Sequence, residues 1–221
     1  MSIVYRAFNM ISNPRAEWEV IAKEPESFSR IFFGYAMILA AIPALCEAAG
    51  IQFLLSFYSD AVENYVRTEF REPDPKSFLI SGLFLYSASN YAYFVITIFL
   101  AGASVNIISA IFDGWSNIAR ATQLVAYAST PIWVVGVVNI VPFIGLILSI
   151  PLSVAAAIYV VYLFHMGLGP VLRVPPARAI GMTVVAVLTC ALISTIVDSF
   201  TDPGIRELVA DGLDAASSGT V

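Results

Sequence analysis

Long uncharged stretches alternate with short polar ones along this chain. Residues 31–57 hold a single charge, Glu47, and residues 78–112 hold none. Residues 121–172 contain His165 but no Asp, Glu, Lys or Arg, and residues 179–197 are uncharged. A helix needs about 20 mostly apolar residues to cross a hydrocarbon core of about 30 Å. The first and last stretches therefore each make one crossing. The second, 35 residues long, would reach about 52 Å at about 1.5 Å per residue. That is too long for one straight crossing and too short for two with a turn, so it reads as one span whose excess near 102–112 tilts or projects. The third stretch holds two crossings, divided by the Asn-Ile-Val-Pro turn signal at 139–142. The pattern thus predicts an all-α polytopic membrane protein with a five-helix membrane domain over 31–198. Its spans fall at about 31–57, 79–110, 121–138, 143–165 and 179–197. The Gly-Leu-Gly-Pro sequence at 167–170 is expected to end the fourth helix.

The polar segments frame that domain. In 1–30, Asn13 followed by Pro14 reads as a capped helix start, with Glu17 and Glu19 in the turns the helix dipole favours. Trp18, Ile21 and Ala22 share one side of this short helix, and Pro25 ends it. Ile3, Val4, Phe8 and Ile11 make the preceding segment apolar too, so both pieces are expected as amphipathic helices in the cytoplasmic interface. Residues 60–71 extend the first span into water, with Glu63 and Arg67 paired at i,i+4, until Pro73 and Pro75 stop it. Residues 199–221 form an acidic tail in which Ile205, Leu208, Val209 and Leu213 allow one short amphipathic helix before a disordered end. With the N-terminus inside, the cytoplasmic segments carry Arg6, Arg15, Lys23, Arg30, Arg120, Arg173 and Arg178. The outer ones carry Arg67, Arg71, Lys76 and Arg206. The positive-inside rule then gives a multi-pass protein of the cell inner (plasma) membrane, N-terminus cytoplasmic and C-terminus outside.

Composition sharpens the class. Hydrophobic residues make up 59% of the 221 and charged residues 12%, with mean hydropathy +0.83 and net charge −5. Soluble domains average roughly 45–50% apolar and about 25% charged, so a soluble enzyme and a disordered regulator are excluded. The acidic balance offers no face for nucleic acid. The two cysteines, Cys46 and Cys190, sit in apolar stretches as packing residues, and no spacing suggests a metal or cofactor site.

Polar groups at membrane depth are costly and are functional candidates by default. Glu47 stands four residues after Pro43, where a lost backbone hydrogen bond can bend the helix. A carboxylate there suits a proton or cation site, or an interhelical hydrogen bond. Asn90, Asn106, Asn139 and His165 complete the candidate intramembrane polar site, the amides being suited to bonds across helices. Asp113 and Asp198, at span ends, are expected to cap or face water. Pro43, Pro131, Pro142 and Pro151 mark kinks and turns. Ala36, Ala40, Ala44 and Ala48 form a close-packing stripe, a spacing repeated by Ser149, Ser153 and Ala157. No phosphate loop, HExxH, GxSxG or second histidine is present, so no catalytic residue is assigned.

The order of several short segments resembles the Yip1 domain family in its prokaryotic branch. They are Asn-Pro-Arg-Ala-Glu-Trp at 13–18 with Ile21 and Glu24-Pro25, Ala-Ala-Ile-Pro at 40–43, and Ala-Tyr-Ala-Ser-Thr-Pro at 126–131. Asn139 and Pro142, Tyr162 with Gly167-Leu168, Pro175, and Ala179-Ile180-Gly181 follow in turn. The resemblance implies five transmembrane helices, a cytoplasmic N-terminus and no enzyme activity. It is to the bacterial forms, so the small GTPases bound by eukaryotic relatives are not carried over. Two functions follow as expectations. One is a non-enzymatic membrane scaffold or adaptor acting through helix packing, with membrane lipids around it and a second copy or another membrane protein as partner. The other is a transporter or lipid-handling protein using the polar site around Glu47.

Overall fold

The computed structural model describes residues 2–25 and 27–201. Every regular element among them is helical. The elements are α1 (Ile3–Ser12), α2 (Pro14–Lys23), α3 (Phe28–Ile31), a π-helical turn (Phe32–Ala36), α4 (Met37–Glu69) and α5 (Pro75–Ile111). Then follow α6 (Ile118–Ala128), α7 (Thr130–Val135), a 3₁₀ turn (Gly136–Ile140), α8 (Pro142–Leu172) and α9 (Pro176–Thr201). Among the described residues, five stretches are long and apolar enough to cross a membrane: Phe28–Phe57, Pro75–Ile111, Ile118–Ile140, Ile147–Leu172 and Pro176–Thr201. The expected acidic tail, with Ile205, Leu208, Val209 and Leu213, lies outside the described residues beyond Thr201.

The five spans alternate in direction, so the start of the first and the end of α9 lie at opposite ends of the bundle. α5 is central, packing on α4, α6 and α9, while α6 and α7 pack on α8. The core joins Tyr35, Ala36, Leu39 and Ala40 of the first span to Ile98, Ala101 and Val105 of α5. Leu124, Trp133, Leu163 and Met182 carry it into the other three. A smaller cluster of Leu55, Val62 and Val66 with Phe78 and Leu79 closes the opposite end, where α4 turns into α5.

Several local expectations give way to tertiary contacts. α8 does not stop at Gly167 but runs through Pro170 to Leu172. Its end is set by Arg173, which takes the left-handed conformation at φ 54° and bonds its N–H to the Gly169 carbonyl. The Arg173 guanidinium lies 4.6 Å over the Trp115 ring, which offsets the backbone cost of that conformation. Gly167 serves packing instead: a Cβ there would fall 2.4 Å from Leu124 and 2.9 Å from Trp18. Asn13 makes no side-chain cap for α2, and its own N–H closes α1 on the Asn9 carbonyl. Glu63 lies 3.8 Å from Lys76, across the α4–α5 turn.

The third span breaks at Ser129, where Pro131 opens α7, and tightens to a 3₁₀ turn before Asn139. Two glycines let it approach the first span closely. A Cβ on Gly136 would meet that of Pro43 at 2.5 Å, and one on Gly50 would meet the Asn139 carbonyl oxygen at 2.0 Å. Tyr35 and Thr130 hydrogen-bond in the buried interior between these spans at 2.8 Å.

α1 and α2 form a hairpin docked on α6 and α8. The Arg6 guanidinium lies 2.8 Å from the Glu17 carboxylate and also pairs with Glu24, while Asn9 donates to Glu17 at 2.9 Å. Arg6 and Glu17 are both buried, and Arg6 stacks 5.4 Å over Tyr127. Burial works against the Arg6 charge, but the hydrogen bond and charge of Glu24, with Tyr127 and Glu17, hold its pKa above the ordinary value. Arg120 donates to the carbonyls of Ile21 and Glu24, both at 3.1 Å, tying α2 to the start of α6. The Tyr159 hydroxyl donates to the Ile11 carbonyl at 2.7 Å. Val4, Tyr5 and Phe8, on the outer face of α1, remain exposed.

Candidate functional site

The close approach of the first and third spans positions a polar cavity. Glu47 projects from α4 one turn beyond Pro43 and accepts a hydrogen bond from the Asn90 side-chain amide of α5 at 2.6 Å. Gly136 and Gly50 draw the 3₁₀ turn against α4, which sets Asn139 on the wall of the same cavity. α8 adds Ser149 and Ser153, and α9 adds Asp198 and Thr201. Its volume is about 260 Å³. Among the described residues, two carboxylates line it together with amides and hydroxyls.

A second cavity of about 330 Å³ adjoins it, sharing Tyr93, Phe94 and Ile132 as lining. Its further walls are mainly apolar, including Ala101, Val125, Ala157, Phe164 and Cys190. The pair together falls in the size range of small-molecule sites, roughly 300–1,000 Å³.

The residues singled out from sequence divide into two groups. Glu47, Asn90, Asn139 and Pro43 come together on the polar cavity. Asn106 and His165 do not. Asn106 accepts from the Ser116 hydroxyl at 3.3 Å near the far end of α5, and His165 shares a 2.8 Å hydrogen bond with Thr183 that joins α8 to α9. Pro131 is buried at the break in the third span, Pro142 opens α8, and Pro151 sits inside it. Ala36, Ala40 and Ala44 are buried within this chain's own core, and Ala48 is half-buried. Asp113, at φ 56°, pairs with Arg178 at 2.9 Å.

Asp198, Ser149, Ser153 and Tyr86 belong to the cavity but are not legible as site residues from the sequence. A signal existed for Asp198. α4 and α9 run in the same direction, with Glu47 19 residues after Phe28 and Asp198 22 residues after Pro176. Similar depth in parallel spans, within about 5 Å at about 1.5 Å per residue, places the two carboxylates near one level.

Among the described residues, no group of three His, Cys, Asp or Glu is placed to hold a metal ion. No curated protein and no solved structure matches the chain. The Yip1 domain family model matches residues 8–197, from the α1–α2 hairpin through the last span. On that match, covering most of its length, this multi-pass membrane protein belongs to the Yip1 domain family.

Proposed function

We propose that this protein works without catalysis, as a lipid-handling membrane protein that binds its ligand at the intramembrane polar cavity around Glu47. One observation carries the reading. A carboxylate and an amide from two different spans meet at 2.6 Å on the wall of a cavity rather than in a closed interhelical contact. Polar groups at membrane depth are costly and mark functional sites by default, and the cavity beside them has room for a ligand. A membrane-resident ligand reaches such a site directly from the bilayer.

A scaffold or adaptor role is the second reading. The outward face of α8 favours it, where Ala155 lies exposed beside Ile147, Ile150, Val154 and Ile158. Small residues among apolar ones let a helix of another membrane protein, or of a second copy, approach closely. In either case we place the protein in the cell inner membrane, N-terminus cytoplasmic, on the distribution of Lys and Arg.

Native mass spectrometry of the protein purified in mild detergent tests the choice. The expected result is a retained lipid or other small amphiphile that is lost in Glu47→Gln. A bare monomer that still folds would overturn the lipid-handling reading. A homodimer or a co-purifying membrane protein without bound lipid would favour the scaffold.

A further inference from the structure

We propose that the apolar cavity is a hydrocarbon-chain site, filled by one acyl chain of a bilayer lipid that enters sideways between α8 and α9. The proposal deepens the lipid-handling reading and rests on it. It places the chain and leaves the headgroup unassigned.

The entrance follows from helix pairing. α8 and α9 are antiparallel and are joined by the His165–Thr183 hydrogen bond at 2.8 Å. Four residues away along each helix, Val161 and Val187 are half-buried on the cavity wall. Eight residues away, Ala157 and Ala191 also line the cavity but are exposed. That level is about 12 Å from the hydrogen bond at about 1.5 Å per residue. The seam between the two helices is thus closed at His165 and open at the alanines, whose methyl groups are too small to bridge it.

Each alanine also borders the outward stripe of its helix. Val154 and Ile158 flank Ala157 at 55% and 67% exposure, and Leu188 and Leu192 flank Ala191 at 65% and 62%. Within membrane spans such side chains meet lipid tails of their own polarity. The bilayer-facing surface is therefore continuous with the mouth of the cavity, and hydrocarbon is what lies against that mouth.

The interior suits a chain. Ile98, Ala101, Val125, Trp133, Phe164 and Ala186 form buried inner walls. The Ser129 hydroxyl donates to the Val125 carbonyl at 2.9 Å. The Thr97 hydroxyl oxygen is buried, so the part of that residue open to the cavity is carbon. An apolar cavity of about 150 Å³ is enough to take benzene, and this one measures about 330 Å³. Left empty, it would forfeit the dispersion contacts of its walls. A transmembrane helix, about 10–12 Å across, cannot enter such a space, whereas a polymethylene chain can.

The test uses fluorescence, because Trp133 walls the cavity and is only 1% exposed. The full-length protein is reconstituted in vesicles of phosphatidylcholine carrying bromine atoms in mid-chain, and in the same vesicles without bromine. Bromine quenches tryptophan only at close range, and subtracting the signal of Trp133→Phe removes Trp18 and Trp115. The expected result is that Trp133 loses at least half its emission in the brominated vesicles. Ala157→Phe and Ala191→Phe, which each put a ring into the mouth, should restore most of it. Leu192→Phe, on the bilayer-facing side, should not. The two plugs stand at separate exposed positions, so either one carries the test if the other does not fold. If Trp133→Phe does not fold, the change in total emission on plugging gives the same answer. An unquenched Trp133 in folded protein, or quenching unaltered by the plugs, overturns the chain site. Native mass spectrometry separates that failure from the wider one. A lipid retained in mild detergent and lost in Glu47→Gln leaves the lipid-handling reading in place, and a bare protein with unquenched Trp133 overturns both.

Discussion

Replacing Gly50 by alanine tests the contact on which the polar cavity depends. On an exposed helix, glycine to alanine is worth about 1 kcal/mol in favour of alanine. At Gly50 the added methyl would lie 2.0 Å from the Asn139 carbonyl oxygen and 3.2 Å from its carbon. Carbon and oxygen in a weak C–H···O contact rest at about 3.3–3.6 Å, so the carbonyl must retreat by more than about 1 Å. That carbonyl belongs to the 3₁₀ turn, which Gly136 also pins against Pro43. The strain cannot be relieved by rotating a side chain. Overpacking of this kind costs about 1–3 kcal/mol, occasionally more, which outweighs the propensity gain. Gly169→Ala is the control, because nothing lies within 4 Å of a Cβ at that exposed position of α8. Unfolding of purified protein in mixed micelles should show Gly50→Ala less stable than wild type by about 1–2 kcal/mol and Gly169→Ala slightly more stable. If Gly50→Ala matches or exceeds wild type, the first and third spans do not meet at Asn139, and the cavity geometry fails with them.

Other outcomes follow from the same structure. Arg6→Ala leaves Glu17 buried without its 2.8 Å partner and should cost about 3–5 kcal/mol. Arg6→Met with Glu17→Leu should recover much of that loss, with limited proteolysis of the α1–α2 hairpin as the readout. Tyr35→Phe removes one buried hydrogen bond but leaves Thr130 donating to the Tyr127 carbonyl at 2.7 Å. The expected loss is about 1 kcal/mol, and a melting curve showing three times that would mean the hydroxyl has a further role. A reporter active only in the cytoplasm, fused after Val221, should be silent if the N-terminus is inside; a strong signal there would reverse the proposed orientation.

The sequence by itself determined the class, the number of crossings and their approximate places. That information is local: about 20 apolar residues satisfy their own backbone only as a helix when they lie in hydrocarbon. Glu47 was legible for the same reason, since one carboxylate in an apolar run stands out with no knowledge of its neighbours. The tertiary structure alone decided which polar groups meet. Asn90 and Asn106 look alike in sequence, but only Asn90 reaches Glu47. Asp198 is exposed near the end of its span, and only helix direction and packing set it on the same cavity as well. The helix-ending role of 167–170 was overridden because Gly167 is used for contact with Leu124 and Trp18, while a distant Trp115 supports the left-handed turn at Arg173. Likewise, Gly50 and Gly136 carry no local signal, since their meaning lies in how closely another backbone approaches. Periodicity and hydropathy describe one helix at a time, and a site built between helices exists only once their distances and rotations are set.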